Sequence, residues 1–461
     1  MGRVINQSVP LVSVVTTPQP SVIRKTLAPT RPASAPIKCA IQPSADSKET
    51  CTADVGTRAR TPLRVAPRQP ASPLRPAAVS ARSLVSVPLV FRGLGFVQSA
   101  AAQAIWQSDA HPLHAQLAEL LENEAFGALS HNTQMALVSV LLATVQDTEA
   151  GVVPPLDLPA LLSPSFARLA AHQQLQAIDV FTHCTSEMRQ DFLSLLRTGT
   201  ALAKDSQQQM LLETLANIAS QPTDPALRLF DVSTTDALRD LMHDLVTPFA
   251  LTQGQKNTCT VTSMQFLIMT RQPAEYARLV AGLLSPAAMV SFANGEMLRR
   301  VVDSVEEDGS ERTLTGRLFQ AAMMQFAVGE SRYSNTTDDS GRLWLRGIDR
   351  HSGLNPWQER NAMKALFNRD FDWTLRLSRM LEAPLPQLLS LRWQGSFHAV
   401  VVTSITQGRV YFRNPWGPQP GVPNGTLELD PARRMERNDL GMESMSTDDF
   451  LRTFAEAIVP D

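Results

Sequence analysis

LTQGQKNTCTVTSMQFLIMT, residues 251–270, passes from a polar loop straight into an apolar run. Gln253-Gly254-Gln255-Lys256-Asn257-Thr258 reads as the loop, with the glycine marking a turn. Val261, Met264, Phe266, Leu267 and Ile268 then predict a mostly buried helix. Asn257 or Thr258 can cap that helix, which places Cys259 in its first turn. The positive end of a helix favours negative charge, so this position is expected to lower the thiol pKa. Gln253, six residues upstream, can aim its side-chain amide at an oxyanion held near the sulfur. A lone cysteine is more often a buried structural thiol. Cys259 therefore needs a partner elsewhere before it reads as a nucleophile.

That partner stands about 140 residues on. Gly395-Ser396-Phe397-His398-Ala399-Val400-Val401-Val402 is followed by Gln407-Gly408 and then by Arg409-Val410-Tyr411-Phe412-Arg413-Asn414-Pro415-Trp416-Gly417. Two apolar runs around a glycine-containing turn predict a β-hairpin. His398 begins one strand and Asn414 ends the other, so the hairpin brings them close together. A Cys–His pair needs an orienting group for the second imidazole nitrogen, and the Asn414 amide oxygen can supply it. Trp416 can cover that hydrogen bond and keep water from it.

At these residues the chain resembles the papain-like cysteine peptidases, and within them the calpain catalytic core. The matching pieces are Q-G-x-x-x-x-C at Gln253–Cys259, G-x-x-H-A at Gly395–Ala399 and R-N-P-W-G at Arg413–Gly417. A fourth is M-S-x-x-D-F-L-x-x-F at Met445–Phe454, which is similar to the closing segment of the calpain core. The resemblance covers about residues 225–461. It implies a two-lobed α+β fold with Cys259 as nucleophile and His398 as general base and acid. It also implies Asn414 as orienter, and Gln253 with the Cys259 backbone N–H as oxyanion hole. The sequence departs from the family at Asn257-Thr258, where Gly-Asp is usual, and at Thr260, where a tryptophan is usual.

Composition frames the rest. Net charge is −2 and hydrophobic residues make up 43% of the chain, which suggests no general affinity for nucleic acid or membrane. Residues 1–92 differ from the remainder: they carry thirteen basic against three acidic residues and thirteen of the 32 prolines. Rich in Ser, Thr, Ala and Arg and without a sustained apolar period, they are read as a disordered leader covering 1–95. The leader's charge can touch acidic surfaces weakly. It also fits an organellar transit peptide or the unstructured N-terminus of an exported bacterial effector, although so many prolines break an amphipathic helix. Arg outnumbers Lys 36 to 6, which points to a GC-rich genome. No run has the form of a secretory h-region or a transmembrane span. Cys39, Cys51, Cys184 and Cys259 have no metal-like spacing and suggest no disulfide framework.

Residues 96–224 are expected to form a helical domain. Ala101–Ile105, Leu113–Leu121, Met135–Val145, Leu175–Phe181, Phe192–Leu202 and Met210–Ile218 carry the 3.6-residue apolar spacing. Further helices are expected at Asp236–Leu245, Glu275–Leu284 and Leu314–Phe326, and a turn at Gly353–Trp357. The six histidines between residues 111 and 243 read as surface or core residues. Calpain-like cores are often calcium-switched. Here Asp338-Asp339 lack the alternating oxygen ligands of a calcium loop, and Glu428, Asp430, Glu436, Asp439 and Glu443 form no clear cage.

The sequence thus predicts a disordered leader, a helical domain and a two-lobed papain-like α+β domain over 225–461. The expected activity is cysteine-type endopeptidase action on a protein or peptide, with no metal or organic cofactor. Two other readings keep the same residues. A deamidase or transamidase shares the first half-reaction, and an inactive binding protein keeps the fold alone.

Overall fold

The computed structural model describes residues 87–111, 113–148, 157–221, 224–330, 332–338, 353–393, 396–417, 427–430, 433–437 and 442–461. Residues 1–86, with Cys39 and Cys51, lie outside this description, as do Pro112, Pro154, Pro155, Pro222, Asp339, Gly395 and Asp439. The chain divides into one unit over Met1–Ala81 and a second over Arg82–Asp461, and every described residue belongs to the second.

Packed chain begins before the leader boundary expected at residue 95. Leu89–Gly93 is a 3-10 helix that buries Val90 and all of Phe91. Two apolar side chains suffice to anchor a short segment, and a composition averaged over 92 residues conceals them. The helices Phe96–Trp106, His114–Glu122, His131–Thr148, Ala171–His183, Ser186–Thr198 and Leu211–Ser220 follow. The helix expected over Phe192–Leu202 stops at Thr198, because Gly199 takes a left-handed conformation at φ 77°. Thr200–Leu202 is a separate 3-10 turn, so the apolar period runs on where the backbone does not.

These helices pack on the rest of the unit rather than apart from it. Leu211–Ser220 lies against Pro273–Leu284, and Ser186–Thr198 lies against Thr234–Val246. Arg300 pairs with Asp224 at 2.8 Å. One core runs from Val90 to Ile458 and passes position 224/225 without a break. At its centre is the helix Cys259–Arg271, in which every residue from Thr260 to Met269 is buried. A helix enclosed on all sides needs no polar stripe, and the polar residues it does carry inside, such as Thr260, Ser263 and Gln265, are hydrogen-bonded. Leu314–Val328 packs on one flank and the sheet on another.

Strands β1 (Met289–Ser291) and β2 (Met297–Arg299) form a small antiparallel pair. The others are β3 (Phe371–Thr374), β4 (Gln387–Trp393), β5 (Ser396–Thr406), β6 (Arg409–Arg413), β7 (Leu427–Asp430), β8 (Arg433–Arg437), β9 (Met442–Ser446) and β10 (Phe454–Pro460). They make one antiparallel sheet in the order β3-β10-β4-β5-β6-β9-β8-β7. The expected hairpin is β5–β6. Its two-residue turn has Gln407 at φ 50° and Gly408 at φ 73°, the paired left-handed geometry that suits strand twist. Alternation along β5 sends Ala399 and Val401 to the large core, and Val400 and Val402 to a second cluster with Leu391, Phe412, Met445 and Phe450. Near the chain's end, Ser446 caps the helix Thr447–Thr453, and β10 then inserts between β3 and β4. The fold is mixed α+β. No described helix is long and apolar enough to cross a membrane.

Candidate active site

Cys259 is the first residue of its helix and partly buried, at the place where the helix meets β5. Neither expected side chain caps the helix. Thr258 Oγ1 instead donates to Gln320 Oε1 at 3.0 Å, and Asn257 Nδ2 donates to Asp338 Oδ2 at 2.7 Å. The residue after His398 lies against the cysteine helix, since Ser263 Oγ donates to Ala399 O at 3.4 Å and the Ala399 backbone N–H lowers the Cys259 pKa. Burial pushes the Cys259 thiol up, and the N–H groups of Ala399, Thr260 and Cys259 pull it down by less. This corrects the lowered thiol pKa expected from the helix end: desolvation of the charged form outweighs the helix N–H groups here.

His398 and Asn414 meet as the hairpin predicts. His398 Nε2 and Asn414 Oδ1 are 2.8 Å apart, and both residues are buried. The neighbours settle which atom donates. The Trp416 N–H donates to the same Oδ1 at 3.1 Å, and Asn414 Nδ2 donates to Glu443 Oε2 at 3.1 Å. Asn414 Oδ1 is therefore the acceptor and His398 Nε2–H the donor. That leaves Nδ1 as the basic ring nitrogen. The Trp416 ring lies over the imidazole, with centroids 4.4 Å apart and planes 31° apart. Burial lowers the His398 pKa, while the Asn414 bond and the Glu443 charge raise it. The two shifts favour the uncharged forms, a thiol at Cys259 and a neutral imidazole at His398.

Three contacts tie the cysteine loop to the asparagine loop. Gln253 N–H donates to Pro415 O at 2.7 Å, Thr252 Oγ1 donates to Trp416 O at 3.1 Å, and Arg413 donates to Leu251 O. Gly417, at φ 74°, allows the approach, since a Cβ there would lie 2.8 Å from Thr252 Cβ. Gln253 is buried, and its Nε2 donates to Lys256 O at 2.5 Å. Its Oε1 is buried without a partner among the described residues. Gln253 thus lies in the loop that leads into Cys259, with one amide hydrogen committed and one left over.

Two acidic residues at the site were not marked by the sequence reading. Glu443, on β9, is buried behind Asn414. In the sequence it is one of the five acids that form no clear calcium cage. Its signal was an acid at an inward position of a short strand. Glu359, on the helix Pro356–Phe367, accepts from Thr260 Oγ1 at 2.7 Å. Thr260 stands where the resembled family has tryptophan, and it is turned into the core against this carboxyl. Burial pushes the Glu359 carboxyl up to about 8, the Thr260 hydroxyl opposing and the nearby Glu456 and Cys259 adding to the rise.

The six histidines between residues 111 and 243 stay in the helical region, His114 beside Asp109 at 3.6 Å and His243 beside Asp191 at 3.5 Å, while His351 lies outside the described residues. Asp338 does not fit a calcium ligand. Its Oδ2 accepts from both nitrogens of Asn257 at 2.7 Å, and its Oδ1 from Tyr333 Oη at 2.9 Å. Among the described residues, no group of three or more His, Cys, Asp or Glu side chains is placed to hold a metal ion. Compared with protein-family models, curated proteins and solved structures, the chain matches none.

Proposed function

We propose that this chain is a papain-like cysteine endopeptidase, similar to the calpain catalytic core, acting on a protein or peptide. The observation that carries the reading is the buried His398–Asn414 hydrogen bond, with Ala399 set against the helix that Cys259 opens. The triad order Cys259, His398, Asn414 and the loop position of Gln253 support it as well.

In this mechanism His398 Nδ1 takes the proton of Cys259 as the sulfur attacks the amide carbonyl carbon. A carbon–sulfur bond forms, and the carbonyl oxygen becomes an oxyanion. The second Gln253 amide hydrogen and a backbone N–H at the helix start stabilise it. Collapse breaks the carbon–nitrogen bond, and the amine leaves with the proton held by His398. Water then adds to the thioester, again losing a proton to His398, and the acid departs with Cys259 restored. Asn414 keeps the imidazole in one tautomer throughout, and Trp416 shields that bond from water. These steps draw only on the chain's own groups and water.

The test is labelling with a peptidyl electrophile directed at thiols. Wild type is expected to gain one adduct, at Cys259, and His398→Ala to gain it far more slowly. Equal labelling of the His398→Ala protein, or labelling confined to Cys184, contradicts the assignment.

A further inference from the structure

Lys256 stands in the middle of the loop that leads into Cys259, and both of its polar ends are engaged. Its main-chain carbonyl accepts the Nε2–H of Gln253 at 2.5 Å. Its ammonium donates to Thr336 O at 3.0 Å and lies 3.6 Å from Asp308 Oδ2. The lysine side chain is 10% exposed and that of Asp308 is 1% exposed, so salt screens the pair little. Asp308 is itself fixed, accepting from Arg312 Nη2 at 2.5 Å and from Asn335 Nδ2 at 3.0 Å. Asn257 fastens the same loop to Asp338 one residue later.

The consequence falls on Gln253. Among the described residues its Oε1 has no partner, so the bond from Nε2 to the Lys256 carbonyl is the one hydrogen bond there that sets the rotation of this amide. That carbonyl is held in place by the side chain of its own residue. Lysine commonly keeps its ammonium in water. Here it gives up most of that hydration to reach a backbone carbonyl and a buried carboxylate.

We propose that Lys256 is a positioning residue for oxyanion stabilisation. Its ammonium straps the loop to Asp308 and Thr336, and its carbonyl thereby aims the Gln253 amide. The inference rests on the papain-like reading. It adds a role that neither the triad nor the resemblance assigns.

The experiment compares Lys256→Met and Lys256→Arg with wild type on one peptide substrate. It also measures the rate at which iodoacetamide alkylates Cys259. Lys256→Met removes the donor while keeping the chain length. It is expected to fold, to alkylate at close to the wild-type rate and to lose about ten- to a hundredfold in kcat, with KM little changed. Lys256→Arg, which keeps a cation with several donors, should restore most of the loss. If Lys256→Met fails to fold, Lys256→Gln is read with the same expectation. Wild-type kcat in the folded variant overturns the strap, as does a loss carried by KM alone or by slower alkylation. Turnover by Cys259→Ala, run alongside, overturns the catalytic reading instead.

Discussion

The side chain of Asn414 donates to Oε2 of Glu443 at 3.1 Å, and both residues are buried. Behind the imidazole there is thus an amide, and behind the amide a carboxylate. The line fixes the amide's orientation, because only Nδ2 can serve Glu443 and only Oδ1 can serve His398.

Glu443→Gln tests whether that carboxylate matters. The variant keeps the shape of the side chain and removes its charge. Glu443 raises the His398 pKa, so its neutralisation moves that pKa further below the ordinary histidine value. The acid limb of kcat/KM against pH should therefore shift to lower pH. The rate at the optimum should fall by less than the ~10²-fold that losing the general base itself costs. An acid limb that stays in place, or moves to higher pH, argues against the coupling.

Glu359 gives a stability signature. In the folded chain its carboxyl keeps its proton to about pH 8, while an ordinary glutamate releases it at 4.5. Between those values the folded state binds more protons than the unfolded state, so stability falls as pH rises. Glu359→Gln cannot titrate and escapes this penalty. Its melting temperature relative to wild type should improve steadily from about pH 5 to about pH 8.5. Asp244, raised by burial to about 6, follows the same sign in both proteins and cancels from the comparison. A constant difference at all pH values contradicts the assignment.

Gly254 sits at φ 58°, and a Cβ there would meet Ser310 O at 2.2 Å. A side chain at this position must push the loop off Ser310, taking Gln253 with it. Gly254→Ala is expected to cost more than about 1 kcal/mol in denaturant unfolding. It should also lower kcat well beyond what that instability explains. Full activity at wild-type stability would show that the loop tolerates displacement.

Local pattern carried the parts of this account that depend on near neighbours. The apolar run after Cys259 gave its helix, and Gln407-Gly408 between two β-rich runs gave the hairpin that joins His398 to Asn414. What the sequence did not disclose depends on register and burial. Glu443 reaches Asn414 only because β9 pairs with β6, matching Glu443 to Phe412. Pro356 reads as a turn residue, yet Asn355 caps a full helix that begins at that proline and carries Glu359 to Thr260. The thiol expectation failed for a related reason. A helix end is visible in the sequence, whereas the burial that outweighs it arises from β5 and the core closing around the sulfur.

The most direct measurement of the central claim is turnover of a peptide library by wild type and by Cys259→Ala, read by mass spectrometry beside circular dichroism of both proteins. The account predicts cleaved peptides with wild type, none with a variant of unchanged fold, and a thioester adduct at Cys259 when the wild-type reaction is quenched in acid. Cleavage by the folded Cys259→Ala protein would contradict the nucleophile. Intact peptides carrying only a one-dalton-scale change at glutamine would contradict the endopeptidase.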